Sequence, residues 1–275
     1  MRLPLLSIVI ANYNYGRFLE EAIQSVVEQD GFDQCELIIV DGGSTDNSVE
    51  IIRKYADKIA WWCTEKDSGQ SAAFNKGFSH AKGEYLTWLN ADDVFVKGCL
   101  RRVITAMERH PDCEWFTGNM LRFLEDGRVI EIGWGPHWYP SFLQRKDSPV
   151  VVFGPTTFFS KKIYEAVDRI DESLHHAMDY DLWLKFMMMG IKQRRVSCFC
   201  WAFRMHEASK TAEFGTHKIS PELRARAKRE ERYIYNNTGY KCSKAVTVLM
   251  KLWRIFDLSI PRGIFYRFVY KKFEY

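Results

Sequence analysis

The sequence predicts an α/β fold: a mainly parallel, Rossmann-like sheet flanked by helices, followed by a basic amphipathic helical tail. Two observations carry the sheet. Short apolar runs at residues 5–10, 37–40, 59–63 and 85–89 alternate with stretches of helical period, the pattern of successive βαβ units. Three of the runs end abruptly in polar clusters, as strands do when they open onto a binding crevice. A third observation, a switch to basic and aromatic residues after Ser220-Pro221, carries the tail.

Taken in order, residues 5–10 form a buried first strand with Ser7 embedded in it. The start of the chain faintly imitates a signal peptide, but its apolar stretch is short. Asn12-Tyr13-Asn14 also stands where a small-residue cleavage site belongs. Phe18, Leu19, Ala22, Ile23, Val26 and Val27 recur with helical spacing. Leu37-Ile38-Ile39-Val40 is a second strand, closed by Asp41-Gly42-Gly43-Ser44-Thr45-Asp46. A helix over 47–55, a strand near 59–63 and a helix over 71–81 follow, with Asp67 and Ser68 as candidate caps. The strand over 85–89 runs directly into Asn90-Ala91-Asp92-Asp93.

The second half is less regular. It offers an aromatic loop over 133–140, a turn entering an apolar strand over 154–159, a helix over 180–189 and a strand over 195–203. Ser220-Pro221 marks a boundary before a charged helix over 222–235.

At 275 residues the chain has room for one large domain and an appendage, and its 47 % hydrophobic and 27 % charged content is that of a folded protein. The seven cysteines show no C-x-x-C spacing. Cys198 and Cys200 alternate within an apolar run, so they are expected as strand residues and not zinc ligands. This usage suits a reducing cytosol. No stretch reaches the ~18 apolar residues of a membrane span.

Charge is unevenly spread. The segment from Glu222 to Tyr275 holds 13 Lys/Arg against 5 Asp/Glu, a local +8 within a chain total of +4, which leaves the preceding part at −4. Val246, Leu249, Met250, Trp253 and Phe256 share one helical face there, and Lys244, Thr247, Lys251 and Arg254 another. Ile264, Phe265, Phe268 and Val269 follow among further basic residues. Two readings stay open: contact with an anionic membrane surface at its inner face, or a helix packed on the domain with a solvated basic side. Nucleic acid is not expected, because no binding motif accompanies the charge.

The polar clusters at the strand ends should converge on one crevice. Acidic side chains at Asn90-Ala91-Asp92-Asp93 can hold a hard divalent cation through oxygen, though the same residues also suit a solvated turn with Asp93 as a helix cap. The glycines after Asp41 let the backbone approach a ligand, and Asp41 can accept hydrogen bonds from a base or ribose. A capping loop has the same composition. Residues 65–77 join a polar loop to a helix N-terminus suited to anions, where Lys76 can offset phosphate charge or simply face solvent.

Together, Ser7-Ile8-Val9-Ile10-Ala11-Asn12-Tyr13-Asn14 and residues 40–46, 65–77 and 83–93 resemble the family 2 glycosyltransferases of GT-A fold. The likeness continues through 154–159, Met178-Asp179-Tyr180-Asp181-Leu182-Trp183 and Arg204-Met205-His206, so that residues 5–211 are covered. It implies a metal-dependent, hexosyltransferase-type enzyme using Mn²⁺ or Mg²⁺. Such an enzyme inverts the sugar as it passes from a nucleotide-diphosphate donor, expected to be a UDP-sugar, to an acceptor hydroxyl. The acceptor would be a sugar or lipid-linked sugar in cell-surface polysaccharide or glycolipid assembly, and the setting cytoplasmic.

By motif position, Asn12, Tyr13, Asp41 and Asp67 would meet the nucleoside, and Lys76, Asn90 and Asp93 would complete the nucleotide-sugar set. Asp92 would be the metal ligand, with His206 on the metal or the diphosphate. Asp179 would be the general base, with Thr156, Asp181 and Trp183 on the acceptor side. Residues 1–220 would then form the catalytic domain, 1–110 its nucleotide-sugar half and 111–220 its acceptor half, with 221–275 as the extension.

The sequence departs from the family at three points. Asn90 replaces the first acid of D-x-D, Ala11-Asn12 stands where Pro-Thr is commoner, and Met178-Asp179 stands where Glu-Asp is frequent. These bear on the donor more than on the reaction. A nucleotidyltransferase of similar fold and a non-catalytic nucleotide-sugar-binding protein are the alternatives. A processive synthase is not expected without a Q-x-x-R-W motif.

Overall fold

The computed structural model describes residues 3–133, 141–150, 152, 154–207, 220–257 and 273. Strands β1 (Leu6–Asn12), β2 (Cys35–Asp41), β3 (Ile59–Thr64) and β4 (Tyr85–Asn90) pair in parallel. Helices α1 (Gly16–Val27), α2 (Ser48–Lys54) and α3 (Gln70–His80) make the crossovers between them. β5 (Val94–Phe95), α4 (Cys99–Arg109), β6 (Trp115–Leu124), β7 (Val129–Gly133), β8 (Thr157–Ser160) and α5 (Lys161–Ala166) follow. α6 (Met178–Met188), β9 (Arg194–Met205), α7 (Pro221–Thr238) and α8 (Lys244–Phe256) come last.

Among the described residues the strand order is β3-β2-β1-β4-β8-β6-β9-β5, with β7 added on β6. β8 is antiparallel to both β4 and β6, and β9 is parallel to β6. Two reversals restore the direction, so β1, β2, β4, β6 and β9 all end at the same edge of the sheet.

Both faces of the sheet are covered, which explains the continuous apolar runs. Leu6, Ile8 and Ile10 of β1 pack with Leu19 and Ile23 of α1 and Val103 of α4. The intervening Val9 joins Ile38 and Val40 against Phe74 and Phe78 of α3. Cys198 and Cys200 lie in β9 with their sulfurs 3.5 Å apart.

α4 and β6 are absent from the sequence reading. Cys99, Leu100, Val103, Ile104 and Met107 do carry a helical period, and all are buried. β6 is buried on both faces almost throughout and shows no alternation. Its Gly118 looks like a breaker, but a Cβ there would collide with Cys200 Sγ.

Two sets of candidate caps and one helix start are corrected. The N-cap of α3 is Gly69, and Asp67 instead accepts from the Gly69 amide at 2.9 Å. α4 is capped at Gly98, five residues after Asp93. α6 begins before residue 180, so Asp179 lies within its first turn behind N-cap Ala177.

α7 starts where Ser220 Oγ accepts from the Leu223 amide at 3.3 Å, with Pro221 at the first helical position. Ile234 and Tyr240 join the core on the α6 side. α8 divides the face expected of it: Val246 and Met250 are buried against Leu143, whereas Leu249 is 51 % and Phe256 79 % exposed. Val248, Leu252 and Ile255 extend the exposed strip. No helix among the described residues is long and apolar enough to cross a membrane. Residues 134–140 of the aromatic loop, 208–211 of the family likeness, and the tail cluster at 262–272 lie outside the described residues.

Candidate active site

The ends of β1 and β2 lie side by side, with Asn12 in register with Asp41. Asn12 Nδ2 donates to Asp41 Oδ1 at 2.7 Å and to Ser44 Oγ at 3.2 Å. Asp41 also accepts from the Ser44 amide at 3.0 Å, Ser44 Oγ at 2.5 Å and Thr64 Oγ1 at 2.6 Å. Burial pushes its carboxyl pKa up, but these donors outweigh burial and hold it below the ordinary value. Both oxygens are thus occupied by protein, and Asp41 supports the loop from beneath the crevice.

Asn14 takes a left-handed conformation, with φ 56°. Its side chain accepts from the Thr45 amide at 2.8 Å, and its own amide donates to Ser44 Oγ at 2.8 Å. A Cβ on Gly42 would stand 3.0 Å from Asp67 Oδ2, so glycine is what lets that carboxylate approach the backbone. The resulting cavity, about 740 Å³, is lined by Asn12, Tyr13, Asp67, Asn90 and Asp92 among others. It is of a size for a small organic ligand.

Lys76 does not line this cavity. It lies further along α3, where its Nζ pairs with Glu65 Oε1 at 2.9 Å, while Lys66 and Gln70 occupy the wall. Lys66 sits inside the polar loop singled out above, and only its orientation distinguishes it from Lys76.

At the end of β4 a relay of side chains fixes the acidic turn. Gln70 Nε2 donates to Asn90 Oδ1, and Asn90 Nδ2 to Asp93 Oδ2, each at 2.8 Å. The Arg204 amide donates to Asp93 Oδ1 at 2.9 Å. Asp93 is wholly buried. Burial and the charge of Asp92 push its carboxyl well above the ordinary range, and the donated bonds offset only part of this. It braces the turn from behind and does not face the cavity.

Arg204 stands in the family likeness with no role assigned to it by the sequence. Its Nε donates to the Asp92 carbonyl at 3.0 Å, and its Nη2 donates to Glu21 Oε2 at 2.5 Å. Asp92 turns its carboxylate to the cavity, with Oδ2 3.1 Å from His206 Nε2. Phe18 and Tyr15 frame the imidazole at ring distances of 4.6 and 5.8 Å. The Tyr15 phenol is pushed up to about 12, first by burial and then by the charges of Asp92 and Asp93.

No group of three His, Cys, Asp or Glu side chains suited to a metal occurs among the described residues. The Asp92 carboxylate at the cavity wall nevertheless meets the His206 imidazole, which is itself buried and outside the cavity lining, and His206 Nδ1 has no hydrogen-bond partner. Such a pair fits a Mg²⁺ or Mn²⁺ ion that completes its shell with phosphate oxygens and water.

A second cavity of about 550 Å³ adjoins the first and shares Gln70, Asn90 and Phe203 with it. Asp179 lines it, with Oδ1 accepting from the Tyr180 amide at 2.7 Å. Arg122, His175, His176, Trp201 and Phe203 stand around the same space.

Three residues expected on this side face elsewhere. Thr156 is fully buried, and its neighbours Gly154 and Pro155 line the cavity instead. Asp181 points away around the helix and pairs with Lys185 Nζ at 2.7 Å; burial raises its pKa and the lysine offsets only part. Trp183 is 1 % exposed and stacks on Trp88 at 5.4 Å. One turn beyond Asp179, that face of α6 has already left the crevice and lies on the sheet. The sequence reading missed Trp201 and Phe203, although their spacing of two along a strand puts them on one face.

An open sheet of this order, with a crevice over its strand ends and an acidic turn after β4, has the GT-A fold. Residues 7–167, more than half of the chain, match glycosyl transferase family 2, and the chain belongs to that family. It is 29 % identical over 192 residues to an uncharacterized glycosyltransferase of Rickettsia typhi, a match covering 68 % of this chain and 60 % of the relative. The match thus spans less than two thirds of that relative's length.

Among solved structures, S. aureus TarS 1-349 in complex with UDP-GlcNAc superposes with a TM-score of 0.61 at 18 % identity, covering 84 % of this chain and 66 % of that one. The mannosyltransferase PcManGT of Pyrobaculum calidifontis, in complex with GDP-Man and Mn²⁺, gives 0.56 at 17 % identity, covering 98 % and 85 %.

Proposed function

We propose that this chain is an inverting glycosyltransferase that moves a sugar from a nucleoside-diphosphate donor, preferably uridine-linked, to an acceptor hydroxyl. The observation that carries the reading is the junction of the two cavities at Gln70, Asn90 and Phe203, with Asp92 on one wall and Asp179 on the other. A donor in the first cavity would present its anomeric carbon to an acceptor in the second. The UDP-GlcNAc complex of TarS supports the uridine preference, and the GDP-Man and Mn²⁺ complex of PcManGT supports a divalent cation.

In the proposed reaction the acceptor oxygen attacks the anomeric carbon in line with the departing diphosphate. The new C–O bond forms as the bond to the diphosphate breaks, and the hydroxyl proton passes to an Asp179 carboxylate oxygen. Asn12, Tyr13 and Asp67 hold the nucleoside, while Asp41 fixes the loop beneath it. Asn90 and Asp93 set the turn that aims Asp92, and Asp92 with His206 would hold Mn²⁺ or Mg²⁺. A divalent cation so held supplies positive charge to the leaving diphosphate, which then needs no acid.

The acceptor is read as a sugar or lipid-linked sugar in cell-surface polysaccharide or glycolipid assembly. α8 supports this, because its exposed Leu252, Ile255 and Phe256 beside Lys244 and Lys251 suit an anionic membrane surface.

The test is a panel of nucleotide sugars with Mn²⁺ and candidate acceptors, following the nucleotide released. Nucleoside diphosphate released with the acceptor present is the expected outcome. Pyrophosphate would point to nucleotidyl transfer. Tight donor binding with no turnover on any acceptor would reduce the chain to a binding protein.

A further inference from the structure

We propose that Glu230, on α7, is a positioning residue that holds the loop before α6, and with it Asp179, in place for the acceptor-dependent step. The proposal rests on the reading of Asp179 as the base. Glu230 is 7 % exposed on a helix whose Arg224, Arg226, Lys228, Arg229 and Arg232 all face solvent. A buried carboxylate needs compensation. Glu230 finds it in three backbone amides: Oε1 accepts from His175 at 3.1 Å, and Oε2 accepts from His176 at 2.9 Å and Ala177 at 3.0 Å.

Those amides precede and open α6. The first amides of a helix have no partner within it, and a polar N-cap side chain normally serves them. Here the N-cap is Ala177, which has none to offer. Of the three bonds, the one from Ala177 serves such an amide, and those from His175 and His176 hold the turn before it, all reaching Glu230 from 53 to 55 residues away. Ala227, Glu230 and Ile234 follow one another at spacings of three and four, so a single face of α7 carries the contact.

The capped residues are also walls of the second cavity. His175, His176, Ala177, Asp179 and Ala227 all line it. α7 therefore reaches the acceptor space itself, both directly through Ala227 and through the loop that Glu230 holds. The family match ends at residue 167, so this arrangement lies beyond the part of the chain that the family pattern describes.

The test uses the full chain and Glu230→Gln, in which an NH₂ replaces one acceptor oxygen and faces an amide N–H. Donor Kd by calorimetry should stay at the wild-type value. Acceptor-dependent kcat should fall on the order of 10²-fold, the scale of a small misplacement of a reacting group. On an Asp179→Asn background the same change should cost little more, because both act through one group. Glu230→Asp, with a shorter reach but both oxygens, should recover part of the rate.

Wild-type kcat and acceptor KM in Glu230→Gln would overturn the proposal. So would an equal fractional loss on both backgrounds, or loss of fold in Glu230→Gln and Glu230→Asp alike. Undiminished kcat in Asp179→Asn alone would instead bring down the base assignment, a distinct result.

Discussion

His206 Nε2 stands 3.1 Å from Asp92 Oδ2, although 114 residues separate the two in the chain. β5 makes the contact possible. It follows Asp93 at once and pairs Val94 with Ala202 and Phe95 with Trp201 of β9. The loop after β9 is thereby brought against the turn after β4. Arg204 tightens the junction by binding the Asp92 carbonyl and the Asp93 carboxylate together.

From this pair we expect Asp92→Ala to abolish transfer and His206→Ala to raise the Mn²⁺ concentration needed for half-maximal rate. Metal-induced thermal stabilisation should weaken in both, since a ligand that binds the native state raises apparent stability. Full activity in excess EDTA would remove the cation from the mechanism.

Asp179→Asn should keep fold and donor binding and lose the general-base contribution, on the order of 10²–10⁴ in kcat. Asp181→Asn should leave kcat within a few-fold, because its carboxylate is turned to Lys185. A larger loss in Asp181→Asn than in Asp179→Asn would reverse the assignment.

Trp183 makes a contrasting case. Stacked on Trp88 and 5.9 Å from the ring of Trp115, it belongs to the core. Trp183→Ala should cost about 3–5 kcal/mol of stability by cavity formation. Acceptor KM in the protein that remains folded should not change. Denaturant unfolding and steady-state kinetics on the same sample separate the two effects, and a raised KM at unchanged stability would return Trp183 to the acceptor.

Asp41 sets a pH dependence. Its folded pKa lies below the ordinary 3.8, despite burial, because Ser44, Thr64 and Asn12 donate to it. A carboxylate so shifted contributes stability that is fully present above its unfolded pKa and is lost as pH falls through the folded one. Urea midpoints should therefore decline between about pH 5 and pH 3. Asp41→Asn should be less stable at neutral pH and decline less steeply. Parallel declines in the two proteins would assign the acid sensitivity to other carboxylates.

The strip on α8 is tested by Leu252→Glu with Phe256→Glu, two residues that are 57 % and 79 % exposed. Co-sedimentation with anionic vesicles should drop while hydrolysis of free donor sugar persists. Unaltered sedimentation would mean that α8 serves only to pack on Leu143.

Much of the fold was legible because its signals are local. The apolar runs that became β1 to β4, and the polar clusters closing three of them, need only neighbours along the chain to be read. α4 was legible too, in the spacing of Leu100, Val103, Ile104 and Met107, and went unread. β6 was not, because a strand covered on both sides loses the alternation that announces it. Asp92 could be marked as a cavity residue from its place after a strand.

What tertiary structure alone decided is which way each remaining side chain faces. Lys66 before α3 and Lys76 within it are both lysines of one polar segment, yet one lines the crevice and the other pairs with Glu65. Asp179 and Trp183 lie one turn apart, yet one meets a cavity and the other the core. Neither Arg204 nor Glu230 is given a role by the sequence, and both act on backbone groups distant in sequence. Local sequence determines the period and ends of an element. Orientation depends on what the element packs against, and those partners come from far along the chain.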